Sequence, residues 1–362
     1  MSLLFEPIAI GTLQLPNRIV RSATAERLVD RETGAPQPKL SRLYHALAEG
    51  GVGLIVTGHA YVERSGRTHD EMSSMAQDEL IPVWREIIRP AQQAGARVMV
   101  QLNHAGANCN PAITPESLSP SGVAVLNMAQ SRAMTEEELL RIVRSFGQAA
   151  RRAREAGFDG VQLHGAHGYL ISQFLTPATN LRNDRWGGDA ERRRAFLKAV
   201  VSEVRRQVGD DYPVWIKLGV AGRREMGLAI SEGAQVARAC AEYGIDCVEI
   251  SFAIGMPEDL DMRVEAPLLP LAQVVRQAVG PHYPLALVNG FRTRAVMEEV
   301  LASGVVQLIS LSRPLIAEPD LPKKMREGKV TKVACMRCDR CWPEKPGEGI
   351  ACHNEKVQEA LR

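Results

Sequence analysis

The sequence is short of aromatic residues, 5% of its 362 positions, and has almost no charge excess, since 44 basic and 42 acidic side chains leave a formal +2. That balance argues against a nucleic acid or an acidic membrane surface as the main partner and leaves small molecules as the better class. No stretch approaches the ~20 apolar residues needed to span a bilayer. The opening "MSLLFEPIAIGTLQLPNR" lacks the basic start and apolar run of an export signal. The expected location is the cytoplasm, with neither membrane nor nucleic acid involved. An H-E-x-x-H motif is absent, which disfavours a metal hydrolase. No dinucleotide-type glycine fingerprint follows the first candidate strand, which disfavours an open doubly wound sheet. Cysteine is sparse: of seven, four (Cys335, Cys338, Cys341, Cys352) crowd near the C-terminus. In a reducing compartment such a group reads as a metal or cluster site, not a disulfide framework.

What is present is enough apolar sequence, 45%, for a large core, and one junction that recurs. A helical pattern ends in Gly and runs into a short β-rich apolar segment at Gly50, Gly95, Gly157, Gly244 and Gly304. Two more candidate strands follow prolines, "PVWIKLG" and "PLALVNG", and "RIVRSA" from Arg18 brings the set to eight. Helical periodicity fills the gaps. After a capping box of Thr135 and Glu138, residues Leu139, Val143, Phe146, Ala150 and Ala153 fall on one face. The expected fold class is α/β, a (β/α)8 TIM barrel over residues 1–326 with a Cys-rich C-terminal segment, 327–362. "IAIGTLQLPN" suits a hairpin closing the barrel floor, and the long connections 105–134 and 167–190 are expected to cover the mouth.

Reactive groups of such barrels sit at the C-terminal ends of strands. Polar residues gather there: Gln101, Asn103 and His104 after the third strand, His164 and His167 after the fourth, Lys217 after the fifth, Asn289 after the seventh, and Ser312 with Arg313 after the eighth. The stretch "LHGAHGYLISQF" sets His164, His167 and Tyr169 together without a carboxylate. A lone histidine there reads as a loop-packing residue. Two imidazoles aimed at one point instead make an oxyanion site that polarises a carbonyl, with the phenol as proton donor. Since no side chain supplies hydride, such chemistry calls for a redox cofactor.

The segments "LPNRIVRSAT", "GVGLIVTGHAYV", "VMVQLNHAG", "GVQLHGAHGYLISQFLTPATNLRNDRWGGDAERRRAFL", "PVWIKLG", "LVNGFRT" and "SRPLIAEPDLPKK" fall in the order and spacing of the Old Yellow Enzyme family. The resemblance runs from about residue 4 to 326 and is nearest to the branch holding the barrel domains of 2,4-dienoyl-CoA reductase and trimethylamine dehydrogenase. It implies FMN as cofactor and NADH or NADPH as reductant. It makes His164 and His167 the pair holding the substrate carbonyl and Tyr169 the proton donor. Carried over further, Ser22, Ala23, Thr24, Gly58, Gln101, His164 and Lys217 would line the flavin ring, while Asn289, Gly290, Phe291, Ser312 and Arg313 would hold the phosphate end.

Several positions depart from the family pattern. Lys217 stands where Arg is usual, giving a point charge without a bidentate fork. Ser312 replaces a glycine, and Ala25 removes a hydrogen bond to the flavin. His59 replaces a small residue and is either an extra donor or a satisfied core histidine; Thr24 is either a ring contact or packing. The pattern C-x2-C-x2-C-x10-C suits a 4Fe-4S cluster or a structural Zn; the resemblance implies the cluster. The leading expectation is an NAD(P)H:flavin oxidoreductase that reduces an activated alkene, an enone or enoyl substrate. The alternatives are a flavin and iron-sulfur electron-transfer component serving a redox protein partner, and an amine dehydrogenase, which few aromatics disfavour. A homo-oligomer stays open.

Overall fold

A computed structural model describes residues 2–124, 126 and 130–361. Part of the 105–134 connection expected over the mouth, residues 125 and 127–129, lies outside the described residues.

The eight strands read from the sequence form: β1 (Ile19–Arg21), β2 (Leu54–Tyr61), β3 (Arg97–Asn103), β4 (Gly160–Gly165), β5 (Val214–Gly219), β6 (Cys247–Ser251), β7 (Leu285–Val288) and β8 (Leu308–Leu311). Each pairs in parallel with the next, and β8 pairs with β1, so the sheet closes as a (β/α)8 barrel. A two-residue strand, Ser73–Ser74, adds to β2 outside the closed ring. The helices are α1 (Pro38–Glu49), α2 (Leu80–Gln93), α3 (Glu136–Ala156), α4 (Ala195–Val208), α5 (Ile230–Tyr243), α6 (Leu269–Val279) and α7 (Arg294–Ala302), with Arg313–Ala317 and Leu321–Arg326 after β8.

Local signals explain the boundaries. The Thr135–Glu138 capping box starts α3, and Gly157 ends it at φ +90°, a conformation costly for a residue with a Cβ. At the end of α1 the helix-ending Gly50 is itself right-handed (φ −72°), and the following Gly51 takes the positive φ. Gly50 is needed instead for space, because a Cβ there would lie 2.1 Å from the Pro319 carbonyl oxygen.

The strands alternate between two environments. Outward residues such as Ile55, Val98, Val161, Ile216, Val248 and Ile309 join the large core beneath the helices. Inward residues near the strand starts, among them Val20, Leu54, Val56, Met99, Trp215, Cys247, Ala286 and Leu308, form a separate apolar plug with Ile10, Leu13 and Leu15. The last three belong to the antiparallel hairpin Ile8–Ile10/Leu13–Leu15, which closes the floor as its sequence suggested. One turn higher the inward layer turns polar, and that change positions the site. Leu15 is 2% exposed within the plug, so Leu15→Ala should lower the unfolding free energy in urea by about 2–5 kcal/mol. A loss below ~0.5 kcal/mol would show that the hairpin is not part of the folded unit.

Candidate active site

The polar layer is one hydrogen-bonded chain across the barrel. Gln101 Nε2 donates to Gln162 Oε1 (2.7 Å), Gln162 Nε2 donates to Glu249 Oε2 (2.9 Å), and Ser22 Oγ donates to Glu249 Oε1 (2.6 Å). Lys217 Nζ donates to Ser22 Oγ (2.7 Å) and lies 3.4 Å from Glu249 Oε1. All five side chains are buried. Buried charges persist only when paired and hydrogen-bonded, and here both conditions hold. Glu249 and Gln162 were not singled out from the sequence. The signal was available, since "CVEIS" and "GVQLH" each place a polar residue at an inward position of a strand with apolar outward neighbours.

Above this layer stand the rings. His164, from β4, has its centroid 5.2 Å from His167 and 4.6 Å from Tyr169. His164 Nδ1 accepts from the Ala166 N–H (3.3 Å), which leaves Nε2 carrying the proton. His167 Nε2 meets Ser251 Oγ at 2.8 Å. The His167 backbone is left-handed (φ +57°), a cost for a residue with a Cβ. Two bonds hold it there: its N–H donates to the Phe252 carbonyl (3.1 Å), and its carbonyl accepts from Asn108 Nδ2 (3.1 Å). Tyr169 caps the short helix Leu170–Leu175. Burial lowers both imidazoles, His164 well below its ordinary value and His167 to about 3, with Lys217 and neighbouring imidazoles adding to the effect. Burial likewise pushes the Tyr169 phenol up to about 12. The trio therefore presents neutral donors and a protonated phenol at neutral pH.

Beside the rings a cavity opens. Ser22, Ala23, His167, Lys217, Asn289, Gly290, Phe291, Ser312 and Arg313 all line it. Asn289 (φ +91°) and Gly290 (φ +78°) are consecutive left-handed residues just beyond β7, the kind of turn that makes an anion-binding concavity. Ser310 Oγ is buried without a partner among the described residues. These features fit an FMN: an anion cradle at one end, a polar floor beneath the ring, and an orphaned hydroxyl between. The sequence did not single out Ser251, Phe252, Arg292 and Ser310, which also face this cavity.

Other expected residues are placed differently. Thr24 Oγ1 lies 2.9 Å from Ser312 Oγ. Gly58 sits in β2 with its N–H given to Glu26 Oε2 (2.9 Å), and a Cβ would come within 2.4 Å of that oxygen. His104, read as a mouth residue, is fully buried, with Nε2 at Ser65 Oγ (3.0 Å) and Nδ1 accepting from the Gly106 N–H (3.1 Å). Arg313 forms an ion pair with Asp339 of the Cys-rich segment.

That segment crosses the mouth. The Val333 N–H donates to the Arg292 carbonyl (2.8 Å), and the Ile350 N–H donates to the Glu26 carbonyl (3.1 Å). Cys335 lines the cavity. Burial raises the Cys335 and Cys341 thiols, with the other thiols of the group adding to the effect, so the four share one neighbourhood. Cys338 is lowered by backbone N–H donation from Arg340 and by Asn354 Nδ2 (3.1 Å). Among the described residues, however, no three His, Cys, Asp or Glu side chains converge closely enough to share a metal ion.

Comparison with known proteins agrees with this architecture. Residues 3–332 match the model of the NADH:flavin oxidoreductase / NADH oxidase family, which leaves the cysteine segment outside the match. A metal reductase of Desulforamulus reducens is 36% identical over 94% of this chain, which spans only 51% of that protein. The structure of a 2-naphthoyl-CoA reductase superposes with a TM-score of 0.87 at 26% identity, over 92% of this chain and 54% of that one. An Old Yellow Enzyme homologue from Zymomonas mobilis gives 0.80 at 25% identity, over 92% and 95%. With a closed barrel, a polar floor and a paired-histidine mouth already in view, this chain belongs to the NADH:flavin oxidoreductase / NADH oxidase family, the Old Yellow Enzyme group of flavin-dependent barrels.

Proposed function

We propose that the chain binds FMN and uses NADH or NADPH to reduce an alkene conjugated to a carbonyl. The observation that carries this reading is the contact of His164 with both His167 and Tyr169, all in neutral form, beside a cavity that His167 lines. When bound, FMN supplies the hydride-transfer chemistry that no side chain offers. The overall balance is alkene plus NAD(P)H plus a proton giving the saturated carbonyl and NAD(P)+.

The residues divide that work. His164, with its proton held on Nε2, donates to the substrate carbonyl, and His167 supplies the second contact after release from Ser251. Neutral donors polarise the carbonyl without fixing a full charge in a buried site. Tyr169 delivers its phenolic proton to the carbon next to the carbonyl. Lys217, anchored by Ser22 and Glu249, would place positive charge beside the flavin and favour its reduced, anionic form. Asn289, Gly290, Ser312 and Arg313 would hold the phosphate, and Gln101, Ala23 and Thr24, with Gly58 through Glu26, would hold the ring end.

A second reading adds electron transfer. Cys335 lines the same cavity, and Arg337 and Asp339, between the first three cysteines, both adopt positive φ (+58° and +57°). Left-handed residues in such a loop turn successive N–H groups toward sulfur, a feature of iron-sulfur sites. We infer a 4Fe-4S cluster on Cys335, Cys338, Cys341 and Cys352, with zinc as the alternative occupant, and electrons passing between the cavity and a redox partner.

Three outcomes test these readings. Acid release from the yellow holoprotein should give FMN and not FAD, since a single phosphate cradle adjoins the cavity. Tyr169→Phe should slow anaerobic reduction of cyclohex-2-enone by roughly 10²–10⁴-fold in stopped-flow while cofactor bleaching by NAD(P)H persists; parental enone turnover would remove Tyr169 from the proton step. Protein made without oxygen should contain about four iron atoms per chain and absorb broadly near ~400 nm; one zinc and no iron would end the electron-transfer reading.

A further inference from the structure

The cavity carries more positive charge than its walls neutralise. Lys217, Arg292, Arg313 and Arg337 all line it, and no Asp or Glu does. Three of the four have a carboxylate close behind. Lys217 lies 3.4 Å from Glu249, Arg292 lies 4.0 Å from Glu265, and Arg313 pairs with Asp339. Glu265 also accepts from the Arg292 and Thr293 backbone N–H groups (2.7 and 2.8 Å). Arg337 differs: among the described residues it forms no ion pair, and its guanidinium gives one hydrogen bond, from Nη2 to the Met262 carbonyl.

Arg337 reaches that position from outside the barrel. It lies beyond residues 3–332, the stretch that matches the family, and belongs to the cysteine segment. Backbone pairing brings the segment to the cavity. The Arg294 N–H donates to the Thr331 carbonyl (2.9 Å) and the Val333 N–H to the Arg292 carbonyl (2.8 Å), next to the left-handed pair Asn289 and Gly290. Arg337 is itself left-handed (φ +58°), a strained state that persists only where the surroundings over-determine it. Met262, in the connection from β6 to α6, supplies the anchor on the other side. A guanidinium carries five N–H donors in a planar fork, so one bond to a carbonyl leaves most of them available to an anion.

We propose that Arg337 is a phosphate ligand of the flavin: the cysteine segment carries this guanidinium to the anion end of the cavity, where it supplies the counter-charge that the carboxylate-paired Arg292 and Arg313 do not. This rests on the FMN reading above. A phosphate monoester carries close to two negative charges at neutral pH, whereas the Asn289–Gly290 turn offers only the partial charges of backbone N–H groups. An arginine fork matches phosphate oxygens bidentately, and its bonds are shorter and stronger than those of neutral donors. Riboflavin, which lacks the phosphate, gains nothing from this contact. Arg337 therefore selects the phosphorylated flavin, and a segment outside the barrel takes part in cofactor recognition.

The test reads flavin affinity and does not depend on turnover. The full chain is stripped of flavin, circular dichroism confirms that each variant is folded, and FMN and riboflavin are titrated in turn by the quenching of flavin fluorescence. The parent should bind FMN more tightly than riboflavin. Arg337→Met should weaken FMN binding roughly 10–100-fold, the loss expected for hydrogen bonds to a charged group, with riboflavin affinity unchanged. Arg337→Lys, which keeps the charge without the fork, should recover part of the loss. Parental FMN affinity in Arg337→Met would overturn the proposal. So would an equal loss for both flavins, because an arginine that only holds the mouth in shape would affect either ligand alike. A parent that binds neither flavin would instead overturn the FMN reading itself, and the proposal with it.

Discussion

A buried carboxylate governs the centre of this barrel. Glu249 is 1% exposed, its near cation is Lys217, and each needs the other because an unpaired charge at that depth would cost several kcal/mol. Satisfying both draws in Ser22, Gln162 and Gln101, so one network ties together the ends of β1, β3, β4, β5 and β6. A fully satisfied buried polar network rigidifies what it spans. Here it spans the platform on which the cavity rests. The apolar plug below, sealed by the N-terminal hairpin, keeps water from that network at its lower side.

Burial sets the charge state of the rings above the platform, and the platform's Lys217 adds to it at the two imidazoles. Lys217 beneath the rings adds to the burial that lowers His164 and His167, so the imidazoles donate without carrying charge. Geometry is purchased with local strain: His167 holds a left-handed backbone and β2 takes an extra residue, each beside the cluster of rings above the platform. The Cys-rich segment then closes one side of the mouth, tying Arg313 to Asp339 and reaching Glu26 on the far side. The cavity and the cysteine segment therefore share a boundary, with Arg313, Cys335 and Arg337 all lining it.

Much of this was legible in the chain itself. The Gly-terminated helices and apolar runs gave all eight strands, and "LHGAHGYLISQF" gave the ring trio, because both depend on local periodicity and residue chemistry. His104 shows where such reasoning stops. It follows β3 just as Asn103 does, yet the alternation of the strand sends Asn103 to His59 and His104 to Ser65. For Gln162 and Glu249 the sequence marks an inward polar position in an apolar strand, but the partners that await it across the barrel are set by the closure of the sheet.

By itself, then, the sequence determined the eightfold repeat, the floor hairpin, the grouping of His164, His167 and Tyr169 and the spacing of the four C-terminal cysteines, since each is written in residues near one another in the chain or in recurring spacing. Only the tertiary structure decided which polar side chains meet. The pairing of Lys217 with Glu249, the turn of His59 toward Tyr169 and the contact of Arg313 with Asp339 join residues from distant elements. Strand register and barrel closure set those meetings, and both are fixed by the packing of the whole chain.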